Sequence, residues 1–318
     1  MRYSFLLSGE NLDIAIAEVL SLAESFGKLN GYSVDGRILT INFDGNEFFD
    51  RLAFSHEVIE LMSICKPEKL EMEFSKIEVD GTFCVRVTGV GIKSDNSLER
   101  RLGEILWKKG NSVNLKNPEV VVRVYITREN CYIGFLKFKQ NKKQFLDRKP
   151  NLRPFFMPVV ILPKFAKALV NLTSVRKGKI LDPMCGTGSF LIEAGLMGLE
   201  IYGMDYYRDI VKGCRQNLEF MKLNGEILQG DVREMPFKNG AFDGIVTDYP
   251  YFKATRKIRY DDLYEKSLEE IKRVLKRNCR AVIVTNIDLK DFPMSILYRI
   301  EHRVHSSLTR RIYVLKKD

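Results

Sequence analysis

Histidine is nearly missing from this chain. His56, His302 and His305 are the only three among 318 residues. So few imidazoles argue against a histidine-based site. The six cysteines are Cys65, Cys84, Cys131, Cys185, Cys214 and Cys279. No two form a C-x-x-C pair, and none has histidines at zinc spacing. They are expected to be reduced and mostly structural, as in a cytosol. The neighbours of Cys185 give it a backbone role in a loop rather than that of a nucleophile. No apolar run approaches the roughly 18 residues of a spanning helix. No basic-apolar-small leader opens the chain. The expectation is a cytoplasmic protein, neither secreted nor membrane-spanning, with no metal.

Acids are scarce in one stretch above all. From Gly134 to Lys179 nine lysines and three arginines face a single acid, Asp147. That surplus of 11 positive charges slightly exceeds the net +10 of the whole chain. Phe135, Phe138, Phe145, Phe155 and Phe156 are interleaved with it. A basic stripe with aromatics is the footprint expected of a partner with a phosphate backbone. A solvated linker, basic by chance, is the alternative. Lys142, Lys143, Arg148, Lys149 and Arg153 are the candidate phosphate contacts.

The chain is long enough for two or three domains. Residues 1–66 read as β-α-β-β-α-β, the ferredoxin-like order. Strands are expected at Tyr3–Leu7, Lys28–Val34, Ile38–Phe43 and Glu57–Cys65. Helices are expected at Asn11–Ser25, with its helical apolar spacing, and at Asn46–Ala53. Residues 67–145 form a second unit, with a helix over Ser97–Lys109 and a hairpin across Thr127–Asn130. Pro150, Pro154, Pro158 and Pro163 mark a linker over residues 146–172 that ends in a helix from Lys164. From residue 173 to 318 strands and helices alternate, which implies a mainly parallel, doubly wound sheet.

In such a sheet ligands bind at the carboxyl ends of the strands. Four of these ends carry an acid. Asp182-Pro183-Met184-Cys185-Gly186-Thr187-Gly188-Ser189 follows the first strand and opens a helix. Its glycines let backbone approach a ligand. Asp205, beside Tyr206, suits the hydroxyls of a ribose; a helix cap is the alternative. Asp231, beside Val232, could accept from an adenine amino group. A dinucleotide fold would need a third glycine where Leu191 stands. A phosphate would also be repelled by Asp182, whereas the cationic amino acid end of S-adenosylmethionine would be held. The fourth end is Asp248-Tyr249-Pro250-Tyr251, after the apolar run Phe242–Val246. Such an acid and a backbone carbonyl could accept both N–H bonds of an exocyclic amine and localise its lone pair. The aromatic ring would hold the base flat.

In these segments the chain resembles the class I, Rossmann-like S-adenosylmethionine-dependent methyltransferases that carry a THUMP domain. More narrowly it is similar to the archaeal tRNA guanine-10 N2-methyltransferases, over nearly its whole length. The resemblance rests on Ile180–Phe190, Asp205, Asp231, Asp248–Tyr251 and the linker Arg153–Pro158. It implies an α/β fold: a ferredoxin-like α+β domain, a THUMP domain, and a C-terminal methyltransferase domain. It implies a tRNA partner gripped by the THUMP domain. Asp248, Tyr249, Pro250 and Tyr251 match its catalytic motif. Asp182, Met184, Cys185, Gly186, Thr187, Gly188, Asp205, Tyr206, Asp231 and Val232 match its cofactor site. Two residues depart from the family pattern: Tyr249 replaces the first proline of the motif, and Phe252 stands where glycine commonly follows. Other readings stay open. These are an N2-guanine methyltransferase on another tRNA or ribosomal RNA position, an adenine N6-methyltransferase, and a non-catalytic RNA-binding protein with this fold.

Overall fold

A computed structural model of the chain describes residues 1–93, 97–158, 160–250, 260–306 and 308–318. These group into two compact units. One holds residues 1–12, 27–50 and 54–140; the other holds 13–26, 51–53 and 141–318.

The chain opens with β1 (Arg2–Leu7), α1 (Leu12–Phe26), β2 (Gly27–Asp35), β3 (Ile38–Gly45) and β4 (Ser55–Cys65). The four strands run antiparallel in the spatial order β2-β3-β1-β4. The helix expected over Asn46–Ala53 is only a 3₁₀ turn, Phe49–Arg51. Phe48 and Phe49 explain the difference. Both are buried, and Phe48 packs edge to face on Phe49 and on Phe43, each at 5.5 Å. Aromatic residues lose side-chain freedom in a helix, and here tertiary packing fixes them instead.

Next come α2 (Leu70–Phe74), β5 (Thr82–Gly89), α3 (Leu98–Lys108), β6 (Ser112–Val113), β7 (Val120–Ile126) and β8 (Cys131–Lys139). β4 pairs with β8, so both strand sets make one eight-stranded sheet, β2-β3-β1-β4-β8-β7-β5-β6. β5 and β7 are parallel, which requires a crossover, and α3 supplies it. Its Leu98, Leu102 and Leu106 recur at helical spacing and bury against Phe83, Val85, Val122 and Val124. Each fully buried side chain of this size contributes about 1.5–3 kcal/mol.

The second unit adds α4 (Lys143–Leu146), α5 (Pro163–Leu172), β9 (Lys179–Asp182), α6 (Ser189–Leu196), β10 (Glu200–Asp205), α7 (Arg208–Phe220), β11 (Gly225–Gln229), β12 (Phe242–Asp248), α8 (Tyr260–Val274), β13 (Leu275–Thr285), β14 (Ser295–His305) and β15 (Leu308–Lys316). Its seven-stranded sheet has the order β11-β10-β9-β12-β13-β15-β14. The first five strands are parallel, and β15 runs antiparallel between β13 and β14. The order reverses between β9 and β12, which is where a doubly wound sheet opens a crevice.

Helix α1 clusters with this second unit, although the chain places it between two strands of the first. Its buried Glu18 accepts from the Ala53 amide at 2.9 Å and from Asn171 Nδ2 of α5 at 2.8 Å. Arg280 of β13 donates to Ser21 Oγ at 3.1 Å and pairs with Glu24. These polar partners are 35 to 259 residues away in sequence, so no local pattern reveals them.

Candidate active site

The carboxyl ends of β9, β10, β11 and β12 open on one cavity of about 440 Å³. Asp182, Asp205, Asp231 and Asp248 all line it. The first three share one local device. Each accepts from the backbone amide two residues on: Asp182 from Met184 at 3.2 Å, Asp205 from Tyr207 at 3.1 Å, and Asp231 from Arg233 at 2.9 Å. Such a turn orients a carboxylate through the adjacent chain.

Burial sets the electrostatics. Asp182 is 1% exposed, and this drives its carboxyl well above the usual range. The carboxylates of Asp205 and Asp248 push the same way. Asp205 is also raised by burial, against the amides of Tyr207 and Gly186; the latter donates to its Oδ2 at 3.0 Å. Asp231 is lowered instead, chiefly by Arg233, whose Nη2 reaches Oδ2 at 2.6 Å. Arg233 continues to Asp262 of α8 at 3.6 Å.

Met184, Cys185, Gly186, Thr187, Tyr206 and Val232 also line the cavity. Gly188 stands behind it at the start of α6, with φ +84° and Cys214 Sγ only 2.9 Å from where a Cβ would sit. Cys185 is bound through its backbone, its amide donating to Met204 O at 2.8 Å. Its thiol is pushed well above its usual pKa by a hydrogen bond with Cys214 and by burial. All six cysteines are free.

Asp248 ends β12, and Tyr249 and Pro250 continue the cavity wall. The Tyr249 side chain is fully buried and stacks on Tyr264 of α8, ring centroids 4.5 Å apart. Tyr251 and Phe252 lie outside the described residues.

The basic segment requires a correction. Lys142, Lys143 and Lys149 are exposed, but Arg148 and Arg153 are not surface cations. Arg148 makes two bonds to Glu193 of α6, at 2.7 and 2.8 Å, and its guanidinium lies over the Phe145 ring. Arg153 is 5% exposed and donates to Ser189 Oγ at 3.1 Å. Both therefore hold the segment in place and are closed to phosphate. The proline-rich stretch is equally fixed. Asn217 of α7 donates to the carbonyls of Phe155 and Thr187 at 2.9 Å and accepts from the Phe155 amide at 2.9 Å. Gly213 leaves room for the Phe155 ring, 2.2 Å from where a Cβ would be.

Sequence reading missed several cavity residues: Met157, Val160, Ile161, Phe190, Ile210 and Leu263. Apolar side chains carry no chemical signature that separates a cavity wall from core. Arg233 had one signal, its place two residues after Asp231. Among the described residues no group of His, Cys, Asp and Glu could hold a metal ion. Nor is any helix among them long and apolar enough to cross a membrane.

Residues 150–311, just over half of the chain, match the family model described as RMKL-like, methyltransferase domain. Residues 71–136 match the THUMP domain. TrmN from Thermus thermophilus aligns over the whole of both chains with a TM-score of 0.54 and 22% identity, a likeness of fold. Fold and site thus define a THUMP-bearing class I methyltransferase. A tRNA (guanine(10)-N2)-dimethyltransferase of Pyrococcus abyssi is 33% identical over 96% of this chain and 96% of its own. Another, of Methanothermobacter thermautotrophicus, is 31% identical over the full length of both. The chain belongs to the family of the archaeal tRNA (guanine(10)-N2)-dimethyltransferases.

Proposed function

We propose that this chain uses S-adenosylmethionine to methylate the exocyclic N2 amino group of guanine 10 in tRNA, once and then a second time. The observation that carries this reading is Asp248. It ends a strand on the same cavity as three acids held by their own turns.

The cavity suits the cofactor. S-adenosylmethionine presents a cationic amine, a ribose diol and an adenine amino group, all donors, and no phosphate. Asp182, Asp205 and Asp231 oppose them with acceptors. Gly186, at φ +50°, has open space where a Cβ would stand. When bound, the cofactor supplies an electrophilic methyl group on a sulfonium. In this reading Asp205 holds the ribose hydroxyls, Asp231 takes the adenine amino group, and Asp182 faces the amino acid end.

Asp248 and the backbone carbonyl of Tyr249 accept the two N–H bonds of N2, and Asp248 then takes up the proton. Tyr251 is the candidate to stack on the base, which would be flipped from its helix to reach the cavity. Alignment in such a site is worth about 7–11 kcal/mol of barrier. The THUMP domain and the exposed Lys142, Lys143 and Lys149 would neutralise phosphates. The test is incubation with labelled methyl donor and unmodified tRNA, followed by digestion and mapping. N2-methylated guanosine at position 10 is expected. N6-methyladenosine, a different guanine, or donor binding without product would overturn the reading.

A further inference from the structure

Tyr249 departs from the proline of the motif the chain resembles, and the structure shows what its side chain meets. A proline fixes its own φ and offers no N–H. Tyr249 does neither, yet three other ties hold it. Its amide donates to Val284 O at 2.9 Å, one residue beyond the paired part of β12. Its ring stacks on Tyr264 at 4.5 Å with 19° between the planes. Its hydroxyl meets Ser267 Oγ at 2.5 Å.

Both partners of the side chain lie on α8. Ser267 Oγ also donates to the Tyr264 carbonyl at 3.2 Å, and Tyr264 OH meets Thr285 Oγ1 of β13 at 3.3 Å. The ends of two strands and the first turns of α8 are thereby joined through one buried residue. The same helix carries Leu263 into the cavity wall and Asp262 toward Arg233. A buried hydroxyl without a partner is costly, so the Tyr249–Ser267 pair admits few alternative placements of the helix.

We propose that Tyr249 is a positioning residue: its buried side chain locks α8 to the Asp248–Pro250 segment. Packing across 18 residues does what covalent restriction does in a Pro-Pro turn. The inference rests on reading that turn as the methyl-acceptor site.

The test uses the full chain with tRNA. Tyr249→Ala should lower kcat about 30-fold or more, while S-adenosylhomocysteine binds within about threefold, since misplacement of this kind costs up to roughly 100-fold in rate. Tyr249→Phe keeps the stack and should lose only about three- to tenfold, a partial rescue. Ser267→Ala should match it, and the double variant should be no worse than either, because both remove one bond. Single-turnover rates per cofactor-binding site separate this from mere loss of folded protein. Unchanged rates in all variants, or additive losses in the double one, overturn the proposal. The Tyr249→Phe and Ser267→Ala pair decides the matter even where the alanine variant does not fold. If Asp248→Ala is active, the acceptor reading itself fails; if it is dead while Tyr249→Ala is not, only the positioning role fails.

Discussion

The two walls of the cavity are built by different means. On the proposed cofactor wall each acid is oriented first by its own loop, through an amide two residues ahead, and Asp205 has one longer tie, from the Gly186 amide. On the proposed target wall residue 249 is held by partners 15 to 35 positions away: Tyr264, Ser267 and Val284. A locally held site survives changes elsewhere, because its geometry depends on a few adjacent dihedrals. A remotely held one can be retuned by substitutions outside the cavity. In the proposed function the difference separates a constant task, holding one cofactor, from a variable one, choosing a nucleotide.

The largest effect is expected at the acceptor. Asp248→Ala should cut methylation by about 10³-fold, the scale of removing a group that stabilises a transition state. Affinity for S-adenosylhomocysteine, read by calorimetry, should stay within a few-fold. If cofactor binding collapses too, the walls are not separable.

The reciprocal change is Asp205→Ala. Two charge-assisted bonds to ribose would be lost, so cofactor affinity should fall roughly 30- to 100-fold. The kcat at saturating donor should fall far less. A fall in kcat alone would assign Asp205 to the target wall.

The basic segment offers a third contrast. Charge reversal of Lys142, Lys143 and Lys149 should weaken tRNA binding about tenfold and reduce the salt slope by about two to three. Melting temperature should not move. Arg148→Ala should do the opposite, since leaving Glu193 buried without its partner costs about 3–5 kcal/mol. An Arg148 variant of normal stability with a flattened salt slope would return that residue to the phosphate-binding set.

The smallest effect concerns Asp182. Its folded-state pKa is raised by burial, so ionising it disfavours the folded state. That acid favours folding below its unfolded pKa of about 4 and the benefit fades as pH rises toward the folded value. Asp182→Asn should therefore melt higher than the parent at neutral pH, with the gap closing as pH falls toward 4, while binding cofactor more weakly. A gap that widens on acidification would contradict the assignment.

Much of this was legible in the chain. The β-α alternation after residue 173 and the strand-end acids Asp182, Asp205, Asp231 and Asp248 are local patterns, each complete within about ten residues. Hydrophobic period and a turn acid need no distant partner to be recognised. The misreadings have the opposite character. Phe48 and Phe49 replaced a helix with a turn because an aromatic cluster formed around them. Arg148 and Arg153 looked like phosphate ligands until Glu193 and Ser189, 45 and 36 residues on, closed over them.

By itself, then, the sequence determined most of the order of elements, the strand-end acids that line the cavity, and the family. Short-range dihedral preferences and periodic burial suffice for these. Only the tertiary structure decided that α1 joins the C-terminal unit, which cations of the basic segment stay exposed, and what the Tyr249 side chain meets. Each of those depends on which buried polar group finds which partner, and that pairing exists only once the chain has folded.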